Sequence, residues 1–318
     1  MPRSSPPKPG TSSISPTRRA TITTPRPTTS SPASSSSTGS SKSRLLLVGG
    51  AEDAELAAAL YDAGFRAAGI DARCEPRAVP PEGLTEAVAG MRQDQRVLGA
   101  AVTRPHTVAV AGLLDGLGPE AQVMGAVNTI SHRAGALIGW NTDRAAFLQA
   151  LDEAGFQPKG HAALVLGAGG AARASVDALR GAATAKIWVS SNDLDQARAV
   201  CRELGVTLGG PAPLGSLSLL ARKVDLIVNA TPVGSDGESV LFPVDWITPA
   251  QFVFDLIYQP AVTPLVLGAR DRGARAINGL TMLLFQALAA FEIWTGQPAP
   301  EAAMRAALER AVVGRLSA

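Results

Sequence analysis

From Arg44 onward the chain alternates short apolar runs with stretches whose apolar residues recur at helical spacing. RLLLVGG (44–50) is an apolar run closing on glycines, the pattern of a buried strand. Leu56, Ala59, Leu60 and Ala63 then fall at i, i+3, i+4 and i+7, one face of a helix. Leu84, Ala87, Val88 and Met91 repeat that spacing in a second helix, while DARCEP (71–76) and RVLGAAVT (96–103) have the pattern of strands. A second series starts at Ala162, where ALVLG, AKIWVS, DLIVNAT, FVFDLI and ARAIN are strand-like and separated by helical or loop segments. Two helices close the chain. Leu284, Ala287, Leu288 and Phe291 form the stripe of one, and Met304, Ala307, Leu308, Ala311 and Val312 that of the other. Strands alternating with helices predict an α/β protein with largely parallel sheet covered by helices.

The first 43 residues break with this pattern. They are Ser, Thr and Pro with scattered Arg, as in SSPASSSSTGSSKS, and have too little apolar surface to offset the entropy of ordering, so a disordered tail is expected over 1–43. Residues 1–50 carry Arg3, Lys8, Arg18, Arg19, Arg26, Lys42 and Arg44 but no acid. An acid-free, Ser/Arg-rich lead is similar to an organelle transit peptide. Its prolines disfavour the amphipathic helix such a peptide needs, and a dispensable tail is the reading adopted.

Composition narrows the class. The chain has 318 residues, 46% hydrophobic and 18% charged, with a formal net charge of +2, which is a globular protein with room for two domains. That charge gives no electrostatic case for nucleic acid, and no apolar run approaches the roughly 20 residues that span a bilayer. Cys74 and Cys201 are far apart and form no CxxC pair, which argues against a disulfide framework or a zinc site and fits a reducing cytoplasm. Both are expected to be buried small hydrophobes. His106, His132 and His161 are too few for a histidine-rich metal site, and no metal is expected.

The most specific local signal is VLGAGGAARA (165–174). An apolar strand ends at Gly167, Ala168, Gly169, Gly170, Ala171 and Ala172, and a helix follows at once. The first glycine permits a tight turn, and the second lets backbone approach a pyrophosphate. The small Ala172 allows helix and strand to pack closely, while the helix N-terminus favours the anion. At the end of the next strand a carboxylate suits the ribose hydroxyls of NAD, whereas an Arg suits the 2′-phosphate of NADP. Here Ser191-Asn192-Asp193 stands there, with no basic residue until Arg198. Asp193 would repel a phosphate, so this segment by itself favours NAD or neither form.

Seven segments in order carry a family resemblance: FRAAGID (65–71), GAVNTI (125–130), GWNTD (139–143), VLGAGGAARA, VNATPVG (228–234), DLIYQPAVTPL (255–265) and NGLTMLLFQALAAFEIWTG (278–296). Together they resemble the shikimate dehydrogenase family. The resemblance implies a discontinuous α/β substrate domain, 44–142 plus the closing helices 279–318, around a Rossmann-type dinucleotide-binding domain over 143–278. It also implies NAD or NADP as cofactor, a small-molecule substrate, a monomer or homodimer, and reversible reduction of 3-dehydroshikimate or a related ring ketone. By position in those motifs, Asp143 is the family's catalytic aspartate and a substrate ligand. Thr103, Asn128, Tyr258 and Gln286 fall on ring-binding positions, and Leu256 and Gly279 lie near the nicotinamide. Read without the family, Asn128 and Asp143 also suit helix or turn caps, and Gln286 an exposed helix position.

Three departures fall on functional positions. The family pattern Asn-Val-Thr-x-Pro-His-Lys is Ala101-Val102-Thr103-Arg104-Pro105-His106-Thr107 here, so the catalytic lysine is Thr107. Histidine as a residue type serves acid–base chemistry near neutral pH, and His106 stands next to Thr107, but neighbouring helix side chains diverge by about 100°. The family's Ser-x-Ser-Pro-x-x-His-Asn becomes Glu55-Leu56-Ala57-Ala58-Ala59-Leu60-Tyr61-Asp62, which removes both serine hydroxyls. Its Asn-Arg-Thr falls on Ser191-Asn192-Asp193. Two functions stay open on the residues alone: a shikimate dehydrogenase-like oxidoreductase, or a non-catalytic dinucleotide-binding descendant.

Overall fold

The computed structural model of the chain describes residues 43–49 and 54–316. The expected tail lies outside the described residues, except that Ser43 already opens the first strand.

Two six-stranded sheets organise the molecule. The first is built from β1 (Ser43–Gly49), β2 (Ala72–Ala78), β3 (Val97–Val102), β4 (Gly116–Leu117), β5 (Thr129–Arg133) and β6 (Ala136–Trp140), in the order β2-β1-β3-β5-β6-β4. Helices α1 (Ala54–Ala67), α2 (Leu84–Gln93) and α3 (Pro119–Met124) connect these strands. The second sheet follows α4 (Asp143–Glu153). Its strands are β7 (Ala162–Leu166), β8 (Lys186–Ser190), β9 (Gly209–Ala212), β10 (Leu226–Asn229), β11 (Phe252–Asp255) and β12 (Arg275–Ile277), in the order β12-β11-β10-β7-β8-β9. Helices α5 (Gly170–Gly181), α6 (Leu194–Glu203), α7 (Leu217–Leu220) and α8 (Pro264–Asp271) cover it, and α9 (Leu280–Thr295) and α10 (Glu301–Leu316) end the chain.

Every pairing in the second sheet is parallel. Its strands are buried on both faces, so they read as unbroken apolar runs. Ala163, Val165, Leu226, Val228, Phe252 and Phe254 face a core shared with α4, α5 and α6. The alternate residues Leu164, Leu166, Ile227 and Val253 face a second core under α7 and α8. Strand order reverses between β7 and β10, and in such sheets the crevice beyond that reversal is where ligands bind.

The first sheet is mixed, within an arrangement that is largely parallel as expected. β1 pairs in parallel with β2 and β3, but β5 runs antiparallel to both β3 and β6. The β5–β6 hairpin turns on Ala134 and Gly135, both left-handed at φ 51° and 84°. Such turns usually advertise themselves as Asn-Gly or Asp-Gly, and Ala134 hides this one. Strand β9 was also hidden, since Gly209, Gly210 and Pro211 are poor strand formers. An edge position tolerates the proline.

Helix α9 joins the two halves. Met282 enters the core of the second sheet, while Leu283, Leu284, Ala287, Phe291 and Trp294 pack with Leu45, Leu60 and Phe65 on the first. Burying side chains of this size contributes roughly 1.5–3 kcal/mol each. The Trp294 indole N–H donates to the Ile130 carbonyl at 2.8 Å, lying against Gly99, where a Cβ would collide with it. Among the described residues no helix is long and apolar enough to cross a membrane, and no cluster of metal-ligating side chains is gathered. Cys201 is buried, as expected, and burial pushes its thiol up to about 11; Cys74 is only half-buried.

Candidate active site

Asp143 is the first residue of α4, and its position follows from GWNTD. Strand β6 ends at Trp140, and the Asn141 side-chain oxygen then accepts from the Asp143 backbone N–H at 3.0 Å. This local turn, typical of Asn, starts the helix. The Asn141 amide is anchored in turn to the Ala126 carbonyl at 3.1 Å. From the neighbouring strand start, the Asn128 amide donates to Asp143 Oδ1 at 2.8 Å and to Thr142 Oγ1 at 3.0 Å. Asn128 Oδ1 accepts from Thr129 Oγ1 at 2.9 Å and from the Thr142 N–H at 3.1 Å. Burial pushes the Asp143 carboxyl up to about 6, against the Asn128 hydrogen bond, which favours the ionised form.

The glycine-rich loop sits at the crevice between β7 and β10. Gly167 has φ +112°, and a Cβ there would stand 2.8 Å from the Ala230 carbonyl oxygen. Gly169 caps α5 and Gly170 is its first residue. A Cβ on Gly169 would meet nothing within 4 Å. The buried Ala172 packs where a larger residue would lift the helix off the sheet. Backbone N–H groups at the start of α5 are therefore open to an anion, and the residues fit a dinucleotide pyrophosphate.

Thr107 links this loop to the carboxyl. Its hydroxyl lies 3.5 Å from where a Cβ on Gly170 would stand. Its carbonyl accepts from the Val127 N–H at 2.7 Å, and the next residue, Asn128, reaches Asp143. On the same side, Arg173 of α5 donates to the Met124 carbonyl at 2.9 Å. The start of α5, the 103–107 segment and the head of α4 thus share one neighbourhood.

The remaining expected residues are placed as follows. Thr103 is half-buried beyond β3, against Gly49, where a Cβ would overlap its hydroxyl. Leu256 and Tyr258 lie on the loop after β11; Leu256 packs on the second-sheet core and Tyr258 on the first-sheet core. Gly279 is pressed against the Leu256 carbonyl, and its N–H donates to Ile257 O at 2.9 Å, so only glycine fits there. Gln286 is half-buried on α9 rather than exposed. Asp193 is exposed and caps α6, accepting from the N–H groups of Asp195 at 2.9 Å and Gln196 at 3.2 Å.

Comparison with known proteins decides the family. Residues 53–130 match the shikimate dehydrogenase substrate binding domain and residues 279–309 the shikimate 5'-dehydrogenase C-terminal domain. The chain is 40% identical to the shikimate dehydrogenase (NADP+) of Geobacter sp. strain M21 over 266 residues, covering 81% of this chain and 90% of that protein. The chain belongs to the shikimate dehydrogenase family. Among solved structures, the shikimate 5-dehydrogenase of Thermus thermophilus, in complex with NADP(H) and shikimate, superimposes with a TM-score of 0.77 at 34% identity. It covers 85% of this chain and 99% of its own. Quinate dehydrogenase from Corynebacterium glutamicum, in complex with NAD, gives the same TM-score at 27% identity, covering 85% and 99%.

Against that family, His106 does not take the lysine's place. It is 1% exposed, and its Nε2 is tied to the Val79 carbonyl at 2.7 Å. Glu55 is exposed in the first turn of α1. Tyr61, at the motif's histidine position, is buried, stacks edge-on against Trp294 at 5.0 Å and feels the Asp143 charge.

Sequence reasoning missed a second polar cluster at the ends of β10 and β11. The fully buried Asn229 donates to Asp255 Oδ1 at 2.9 Å and to the Val233 carbonyl at 3.1 Å. Asp255 Oδ2 accepts from Thr263 Oγ1 at 2.6 Å, and Oδ1 from the Ile257 N–H at 3.1 Å. These bonds fix the loop that carries Leu256 and Tyr258. The signal was present in VNATP and DLIYQPAVTP, where Asn, Asp and Thr interrupt apolar runs that otherwise bury everything.

Proposed function

We propose that this chain is a nicotinamide-dinucleotide-dependent dehydrogenase that interconverts a hydroxylated ring acid of the shikimate or quinate type with its ketone. The observation that carries the reading is Asp143: a carboxyl pushed up to about 6, within the neighbourhood of an anion-accepting glycine loop. A general acid–base group works best when its pKa lies near the working pH. The relatives' names support the substrate class: shikimate with NADP(H) in one structure and quinate dehydrogenase with NAD in another.

A bound dinucleotide supplies the hydride acceptor for the alcohol, or the donor for the ketone. In the oxidative direction the Asp143 carboxylate takes the hydroxyl proton as hydride leaves the same carbon, and the protonated acid then returns its proton to solvent. In reduction the protonated acid delivers it. Thr103, Tyr258 and Gln286 hold ring hydroxyls. The Gly167–Ala172 loop would hold the pyrophosphate, and Leu256 and Gly279 would border the nicotinamide.

The Asp193 carboxylate and the neutral Ser191 and Asn192 favour the ribose hydroxyls of NAD over the 2′-phosphate of NADP. Replacing Asp143 by Asn tests the reading: turnover is expected to fall about 10²–10⁴-fold, the range for a positioned acid–base group, with dinucleotide affinity kept. Unchanged turnover removes Asp143 from the chemistry.

A further inference from the structure

We infer that Asp255 is a positioning residue: with Asn229 and Thr263 it fixes the 256–258 segment, so that Tyr258 meets the ring while Leu256 borders the nicotinamide. The inference rests on the proposed function for the roles of those two residues. Asp255, Asn229 and Thr263 are all fully buried, and each carboxylate oxygen meets donors alone. Oδ1 accepts from the Asn229 amide at 2.9 Å and the Ile257 N–H at 3.1 Å, and Oδ2 from the Thr263 hydroxyl at 2.6 Å. Thr263 Oγ1 itself accepts from the Val266 N–H at 3.2 Å as the cap of α8, which leaves its hydrogen for the carboxylate. An amide at 255 would turn its NH2 toward one of these donors.

The residue before Tyr258 is clamped through both of its backbone groups. Asp255 holds the Ile257 N–H, and the Ile257 carbonyl accepts from the Gly279 N–H at 2.9 Å. The Leu256 N–H donates to the Asn229 carbonyl at 2.9 Å, and the Asn278 amide to the Ala261 carbonyl at 2.6 Å. On its other side, Asn229 Oδ1 accepts from the Thr231 N–H at 3.0 Å and the Thr231 hydroxyl at 2.7 Å. Ala230 and Thr231 border Gly167, where a Cβ would stand 3.4 Å from Thr231 Cγ2. One buried network thus joins the glycine loop to the backbone next to Tyr258.

Stability alone does not account for an acid here. Burial pushes the Asp255 carboxyl up, against the bonds from Thr263, Ile257 and Asn229, and among the described residues no cation pairs with it. Apolar side chains packed in place of a buried charge are often as stable or more so. The carboxylate instead supplies a fixed placement, and misplacing reacting groups by about 1 Å can cost about 10²-fold in rate.

Thr263→Val removes one donor, and Asp255→Asn keeps the shape while changing the charge. In both, kcat/KM for shikimate or quinate is expected to fall about 10–100-fold, with KM for the dinucleotide within about threefold of wild type. Thr263→Ser should recover most of the loss. Joined to Tyr258→Phe, Thr263→Val should cost little beyond the larger single loss, because both act through one side chain. The chain's two tyrosines are Tyr61 and Tyr258, so fluorine NMR of the 3-fluorotyrosine-labelled chain reads Tyr258 directly, with the buried Tyr61 as reference. The Tyr258 resonance should move in Thr263→Val, return in Thr263→Ser and leave that of Tyr61 in place. Additive kinetic losses, or variants that unfold earlier on heating yet keep wild-type kinetics, would overturn the inference. If the wild type turns over no ring acid, the dehydrogenase reading fails. The fluorine spectra then still decide the placement, and a Tyr258 resonance unmoved in both Thr263→Val and Asp255→Asn would refute it.

Discussion

The hydroxyl of Thr107 stands 3.5 Å from the place of a Cβ on Gly170, so the side chain at 107 looks directly onto the start of α5. The family's lysine occupied that vantage, and here a threonine holds it. A hydroxyl does not titrate near neutrality, so on the proposed reading the proton falls to Asp143.

Thr107→Lys therefore adds a second acid–base group beside the first. Its expected effect on kcat at pH 7 is a gain of about 10²-fold, the lower end of what such a group contributes. Steady-state kinetics on the folded variant check this. A variant that binds dinucleotide normally and shows no gain would mean that the chain no longer presents substrate to position 107.

The pH dependence should have opposite signs in the two directions. Alcohol oxidation needs the Asp143 carboxylate, so its kcat/KM rises as pH climbs through about 6. Ketone reduction needs the protonated acid and falls over the same interval. Rate profiles between pH 4.5 and 8.5 measure both, at roughly constant ionic strength. Parallel profiles would assign the proton to another group.

Much of the frame was legible in the sequence because it rests on repeated local patterns. The second sheet's strands are buried on both faces, so each appears as an apolar run, and the Gly167–Ala172 loop follows one of them directly. What was hidden depends on particular backbone geometry or distant partners. The β5–β6 hairpin turns on Ala134, a residue that carries no turn signal, and β9 contains Pro211. The environment of Asp143 could not be read from GWNTD, because its controlling bond comes from Asn128, outside that motif and just before β5. Whether His106 could stand in for the lysine was open in the sequence; its burial and its bond to the Val79 carbonyl are visible only in the fold.

Stability should register the same carboxyl. Folded Asp143 binds its proton more tightly than the unfolded chain does, so its contribution is fully present below about pH 4 and lost as pH rises through about 6. Asp143→Asn stays neutral, and is expected to be more stable than wild type by about 1–3 kcal/mol at pH 7.5, with the difference closing by pH 4. Thermal unfolding at both pH values tests this, and an equal difference at both would show that the charge is not its source.

Cofactor preference should yield at one position. Asn192→Arg places a guanidinium beside the ribose, and kcat/KM for NADP relative to NAD should rise about tenfold or more, as expected of a charge-assisted bond to phosphate. Asp193→Ala is a poorer probe, because it also removes the cap of α6 and about 1 kcal/mol of helix stability. An unaltered ratio in Asn192→Arg would place the ribose away from this segment.

The most direct test follows nicotinamide absorbance with the purified full chain, offering shikimate and quinate, each with NAD and with NADP. The account expects turnover with at least one of the acids, faster with NAD than with NADP, and lost in Asp143→Asn. No reduction of either dinucleotide with either acid, from protein that is folded and binds the dinucleotide, would contradict it.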